Sequence, residues 1–177
     1  MNKNIVKQLQ IACNITYSIP GLKQHIKPYR KDTPSNALKF KDGFDLFKGG
    51  YDDRDIGLIG LVDFNETDKY NILIAFRGTV GVFDWLNDFR DDLVDSPYSK
   101  GKVHRGFLDS IKNLEVPMNE KLNELLRDNG GAIIYITGHS KGGALATLMG
   151  QFIVSNNEDL KDHIKWNIDE ALKRKNL

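Results

Sequence analysis

The stretch "AIIYITGHSKGGA", residues 132–144, decides the fold of this chain. Its short apolar first half predicts a buried strand, and the residues from Gly142 to Asn156 predict an apolar helix. Ser140 stands between the two elements, with Gly138 and Gly142 on either side. A G-x-S-x-G pattern between strand and helix is typical of a serine nucleophile on a strained turn, where flanking side chains would clash. We therefore predict a nucleophile elbow centred on Ser140. The alternative is a glycine-rich turn without chemistry.

Length, charge and cysteine content narrow the class of protein. A chain of 177 residues fits one domain, 1–177, and can bury a core. The net charge of +1 gives no electrostatic basis for a nucleic-acid partner. Cys13 is the only cysteine, which excludes an intrachain disulfide and a thiolate metal site.

The sequence also carries an expectation about location. No run approaches 18 apolar residues, and the N-terminus lacks the apolar core of a signal peptide. We therefore expect a cytoplasmic protein. A secreted mature form whose signal had been removed would look the same.

Periodicity along the chain predicts alternating helices and strands. We expect helices over 3–17, 83–93, 105–128 and 142–156, a short strand and turn at 44–53, a hairpin formed by 56–64 and 71–78, and a strand at 132–138. Apolar residues recur every fourth position from Leu160 through Ile164 and Ile168, so the tail, 157–177, is expected to be a further helix. The alternation favours an α/β sheet.

Three sequence blocks together resemble one known family. They are "FRGTVGVFDWLNDF" (76–89), "GKVHRGFLDS" (101–110) and "ITGHSKGGALATLMG" (136–150). In this order and spacing they resemble the class 3 lipases, which include the fungal triacylglycerol lipases. The resemblance implies an α/β-hydrolase fold and hydrolysis of carboxylic esters of lipids, triacylglycerol or phospholipid, with neither metal nor organic cofactor.

The resemblance also implies an oxyanion hole. Its donors would be the backbone N–H of Thr79, helped by the hydroxyl, and the backbone N–H of Lys141. Lysine departs from the leucine that is usual in the fungal members, but a main-chain donor does not depend on the side chain. The Lys141 ammonium would either attract an anionic substrate group or point into solvent. Arg77 is expected to pair with a carboxylate or with carbonyls near the elbow, and His104 to be active-site scaffolding.

Residues 80–95 leave two questions open. Their apolar side chains suit either a lid that contacts a lipid interface transiently, over 83–93, or the inner face of a core helix. The acidic side chains of this region could suggest a cation site, but their spacing misses the EF-hand loop, so we favour a solvated helix face and no metal.

The base and the acid that a serine nucleophile needs are missing from the expected places. The family places both after later strands, and its Thr-Phe-Gly-x-Pro-Arg-type signature is absent here. His163 is the only histidine after Ser140, and Asp159, Asp162 and Asp169 lie around it. These are weak candidates, since a surface helix is the expected setting for His163.

A fold truncated after the elbow helix has two consequences. Turnover would be very weak, and the alternative function is a catalytically inactive lipase-like protein that binds lipid or another protein. The elbow strand would also lack following parallel neighbours, and an exposed sheet edge invites self-association or a completing partner chain.

Overall fold

A computed structural model describes residues 2–17, 37–49, 55–64, 70–78 and 92–168 of the chain. The helices are α1 (Lys3–Tyr17), α2 (Arg105–Asp128) and α3 (Lys141–Asn156). The strands are β1 (Asp45–Gly49), β2 (Asp55–Val62), β3 (Asn71–Phe76), β4 (Leu93–Asp95), β5 (Lys102–His104), β6 (Ile134–Gly138) and β7 (Ile164–Ile168). A 3-10 helix, Glu158–His163, precedes β7. None of the helices in these ranges has the length and apolarity needed to cross a membrane.

A five-stranded sheet of order β1-β2-β3-β6-β7 forms the centre of the fold. Strands β2 and β3 pair antiparallel, as the hairpin pattern predicts; β1 adds to β2 in the same antiparallel sense, while β3, β6 and β7 run parallel. Both faces of β3 are buried, because alternate side chains enter two different cores. Ile72, Ile74 and Phe76 pack with residues of α2 and α3, whereas Leu73 and Ala75 pack with residues of α1. The sheet is thus the middle of three layers.

Helix α2 follows a small hairpin formed by β4 and β5. It runs through Pro117, so the predicted helix over 105–128 is confirmed. The hairpin is tied to α2 by the Tyr98 hydroxyl, which donates to the Glu115 carboxylate. Burial first, and then this hydrogen bond, raise the pKa of Tyr98.

The predicted helix in the tail is wrong over the described residues up to Ile168. Residues Glu158–His163 form a 3-10 helix, and Ile164–Ile168 form a strand parallel to β6. The physical reason is that the spacing of Ile164 and Ile168 suits a strand as well as a helix, since four residues are two strand periods. The pairing with β6 satisfies the backbone of both strands. Strand β6 therefore has a parallel neighbour, contrary to the expectation from the sequence.

Candidate functional site

Strands β3 and β6 end side by side, and Ser140 lies just beyond their common edge. Phe76 pairs with Gly138, and Ser140 is the N-cap residue of α3. The backbone of Ser140 has φ 55° and ψ −120°, close to the first central residue of a type II′ turn, where glycine is favoured. It is the only non-glycine residue with positive φ in the described ranges. Such a backbone costs free energy and is found most often at functional sites.

The glycines beside Ser140 are enforced by backbone contacts. A Cβ atom on Gly138 would lie 2.0 Å from the carbonyl oxygen of Gly142. A Cβ atom on Gly142 would lie 2.4 Å from the carbonyl oxygen of Phe76. Since the obstructing atoms belong to the main chain, no rotation of a side chain can relieve either overlap. Strand β6, helix α3 and the end of β3 therefore meet at distances that only glycine allows.

The first turn of α3 lies directly after Ser140. The N–H of Gly142 donates to the carbonyl of His139 at 2.9 Å, and the N–H of Gly143 donates to the carbonyl of Ser140 at 2.9 Å. The Ser140 side chain makes no capping hydrogen bond to the helix. Ser140 and Lys141 are both half-buried. A half-buried hydroxyl at the positive end of a helix dipole can attack an electrophile whose oxygen becomes negative.

Tyr17, at the end of α1, contacts both turns that meet at this edge. Its hydroxyl lies 3.3 Å from Nδ1 of His139, and its ring is edge-on to the imidazole. A Cβ atom on Gly78 would lie 2.4 Å from the same hydroxyl. Sequence reasoning missed Tyr17, because nothing in the local sequence of α1 indicates which residue will face the elbow.

Arg77 lies next to this group, and its expected pairing with a carboxylate or with carbonyls near the elbow stays a prediction. Its guanidinium carbon is 5.9 Å from the centre of the Tyr17 ring. The Nε atom is buried and has no hydrogen-bond partner among the described residues. At this distance the guanidinium and the ring make a cation–π contact.

His104 closes the N-terminus of α2. Its Nδ1 accepts a hydrogen bond from the N–H of Gly106 at 3.1 Å, and its ring packs against Phe107. In the neutral imidazole the proton is therefore on Nε2. The side chain is half-buried.

The downstream candidates for base and acid lie at the opposite edge of the sheet. His163 directly precedes β7, whose first residue, Ile164, pairs with Ile134. The last residue of β7, Ile168, pairs with Gly138. His163 is therefore a full strand away from the elbow, about 16 Å at ~3.3 Å per residue. Asp159 and Asp162 belong to the 3-10 helix at that same remote edge and are exposed.

Several predicted features lie outside the described residues. They are Thr79, the segment 83–93 up to residue 91, and Asp169. Thr79 follows Gly78 in the chain, and Asp169 follows Ile168. Among the residues that the structure does describe, no cluster of three or more His, Cys, Asp or Glu side chains could hold a metal ion.

The chain resembles proteins of one family in both sequence and structure. The family model for class 3 lipases matches residues 73–167. Phospholipase A1-II 3 of Oryza sativa subsp. indica is 33% identical in an alignment of 114 residues that covers 52% of this chain and 27% of that protein. A lipase of Rhizomucor miehei is 32% identical over 90 residues, 50% of this chain and 25% of that protein.

A solved structure shows the same fold. The Rhizomucor miehei triacylglyceride lipase superposes with a TM-score of 0.64 at 22% identity, covering 95% of this chain and 62% of that one. The predicted α/β-hydrolase fold is confirmed by this likeness. The chain spans only part of the length of the proteins that it matches.

Proposed function

The chain belongs to the class 3 lipase family, and we propose on that premise that it hydrolyses a carboxylic ester of a lipid with Ser140 as the nucleophile. The observation that carries the proposal is the backbone of Ser140, held at φ 55° between strand β6 and helix α3. A serine at that point of a strand–turn–helix unit presents its hydroxyl beyond the sheet edge, as a nucleophile requires.

The proposed chemistry is acyl transfer through a covalent intermediate. Ser140 Oγ attacks the acyl carbon and loses its proton to a base, and the carbonyl oxygen becomes an oxyanion. The N–H groups of Thr79 and Lys141 would donate to that oxyanion. Collapse of this tetrahedral intermediate expels the alcohol, which takes the proton from the base, and leaves an acyl-serine ester. Water then cleaves that ester, which releases the carboxylic acid and restores the serine hydroxyl. No step requires a metal or an organic cofactor.

The proposed substrate is a glycerolipid ester. The names of the relatives support this class, since they include a phospholipase A1 and a lipase. A substrate of this kind would be met at a lipid interface, with which the protein would make transient contact. Whether 83–93 closes over the elbow as a lid is a separate hypothesis.

A second candidate function is a lipase-like binding module without turnover. The position of His163, Asp159 and Asp162 at the edge remote from Ser140 favours it, because none of them can reach the serine hydroxyl from there. Strand β7 is the last strand in the order of the described sheet, so a second copy or a completing partner chain could pair along it.

A fluorophosphonate probe separates the two candidates. Such a probe phosphonylates an activated serine, so a functioning elbow gives a labelled protein and Ser140→Ala abolishes the label. Ser155→Ala is the matched control, because Ser155 lies at the far end of the same helix. Its hydroxyl donates a hydrogen bond to the carbonyl of Phe152. Labelling of the wild type and of Ser155→Ala, with hydrolysis of a short-chain ester, supports the enzyme. A folded wild-type protein that stays unlabelled excludes the catalytic proposal for this chain.

A further inference from the structure

Tyr17, the last residue of helix α1, contacts the turn that carries Ser140, although the two are far apart in the sequence. The Tyr17 hydroxyl lies 3.3 Å from His139 Nδ1, across 122 positions of chain. The Tyr17 ring also meets the His139 imidazole edge-on, with centroids 6.4 Å apart. His139 is the residue directly before Ser140. One side chain of α1 thus contacts the turn that carries the proposed nucleophile.

The same side chain contacts the turn after β3. A Cβ atom on Gly78 would lie 2.2 Å from the carbonyl oxygen of His139 and 2.4 Å from the Tyr17 hydroxyl. The backbone of His139 and the Tyr17 hydroxyl therefore both lie against the side of Gly78 where a Cβ atom would stand. Arg77, the residue before Gly78, directs its guanidinium toward the face of the Tyr17 ring.

These two turns are the ones from which the proposed oxyanion donors come. Lys141 follows the turn after β6, and Thr79 follows Gly78. An oxyanion hole acts only when both donors lie about 2.7–3.1 Å from one developing charge, so the distance between the turns matters to tenths of an ångström. Strand pairing fixes the turns only up to Phe76 and Gly138. Beyond that point, the Tyr17 side chain contacts both turns, in addition to the main-chain contact between Gly78 and His139.

We propose that Tyr17 is a positioning residue, which sets the separation of the two turns and thereby the geometry of the oxyanion hole. This inference rests on the proposed function of Ser140. A positioning role differs from ordinary core packing in what it changes. Loss of packing lowers the fraction of folded protein, whereas loss of positioning slows the reaction of the protein that remains folded.

The test compares Tyr17→Phe with Tyr70→Phe. Tyr17→Phe keeps the ring beside Arg77 and His139 and removes only the hydroxyl. Tyr70 is half-buried, and Lys41 lies over its ring, so Tyr70→Phe removes a hydroxyl from a similar cation–aromatic pair outside the Tyr17 contacts. We measure the saturating rate constant and the apparent affinity of fluorophosphonate labelling at Ser140, the thermal midpoint, and amide exchange of residues 136–143.

Tyr17→Phe is expected to lower the saturating rate constant about tenfold, near the upper value of a single neutral hydrogen bond, with unchanged probe affinity. Exchange over 136–143 should accelerate, while Tyr70→Phe changes neither. An unaltered rate constant in Tyr17→Phe, with a wild type that labels normally, overturns the inference and leaves the proposed function intact. If the wild type is not labelled, the proposed function fails, and the exchange rates alone decide whether Tyr17 holds the turns together.

Discussion

The parallel strands have a carboxyl edge, near Ser140, and an amino edge, near His163, and the contacts that determine the structure differ between the two. At the carboxyl edge, where β3 and β6 end, backbone atoms around Gly138 and Gly142 approach so closely that no side chain fits. At the amino edge, the 3-10 helix Glu158–His163 contains no buried residue. The first edge is determined by main-chain sterics and tolerates few sequences. No such overlap restricts the side chains of the 3-10 helix, and for that reason its polar residues are poor evidence of function.

The largest expected effect comes from adding one methyl group at the carboxyl edge. Gly138→Ala places a Cβ atom 2.0 Å from the Gly142 carbonyl oxygen, and Gly142→Ala places one 2.4 Å from the Phe76 carbonyl oxygen. Since backbone must move to relieve the overlap, each substitution should lower the free energy of unfolding by about 3 kcal/mol or more. Urea unfolding measures it.

Gly130→Ala is the matched control for these two variants. Gly130 has no atom within 4 Å of the added Cβ, and its φ is not positive. Its substitution should change the unfolding free energy by no more than about 0.5 kcal/mol. Equal, small effects at all three glycines would show that the carboxyl edge is not sterically determined.

A smaller effect of opposite sign is expected at Ser140 itself. A residue with a Cβ atom at φ 55° is strained by about 1–2 kcal/mol, and glycine is not. The greater freedom of glycine in the unfolded chain offsets part of this gain. Ser140→Gly should therefore be more stable than Ser140→Ala by about 1 kcal/mol in urea unfolding. If Ser140→Ala is the more stable of the two, the turn is not strained.

A fourth glycine, Gly150, tests whether the loss of stability requires an overlap with main-chain atoms or follows from any overlap as close. A Cβ atom on Gly150 in α3 would lie 2.1 Å from Nε1 of Trp166 on β7. Trp166 is 41% exposed, so its indole can move aside into solvent. Alanine also favours the helix by about 1 kcal/mol over glycine. Gly150→Ala should therefore change the unfolding free energy by less than about 1 kcal/mol, despite an overlap as close as that at Gly138.

Thermal unfolding of Gly150→Ala and of the double variant Gly150→Ala/Trp166→Leu completes that test. The two should have similar stabilities, because a displaced indole contributes little. A loss as large as that of Gly138→Ala, restored in the double variant, would mean that Trp166 is held as rigidly as the main chain.

The same difference explains what the sequence could predict. The elbow could be predicted because close main-chain contacts require both Gly138 and Gly142. The strands beside it are also apolar on both faces, which makes them easy to recognise. The predicted helix in the tail was wrong because Leu160, Ile164 and Ile168 repeat every fourth residue. That spacing is common to one face of a helix and to one face of a strand. Pairing with β6, which is a tertiary interaction, decides between them. The contacts of Tyr17 could not be predicted, because they depend on where α1 ends relative to a turn 122 residues away.

The smallest expected effect is at His163, and it is the one that bears on mechanism. His163 is the only histidine after Ser140 in the sequence, so chain order alone makes it a candidate base. The parallel register of β6 and β7 places it before Ile164, opposite the end at which Ser140 lies. A general base must come within hydrogen-bond reach of the proton that it removes, about 2.6–3.2 Å, and a strand length separates the two residues. His163→Gln should therefore leave the rate of fluorophosphonate labelling within twofold of the wild type. A tenfold lower labelling rate, in a protein of unchanged thermal midpoint, would mean that His163 takes part in the reaction. The register of β6 and β7 would then not separate it from Ser140.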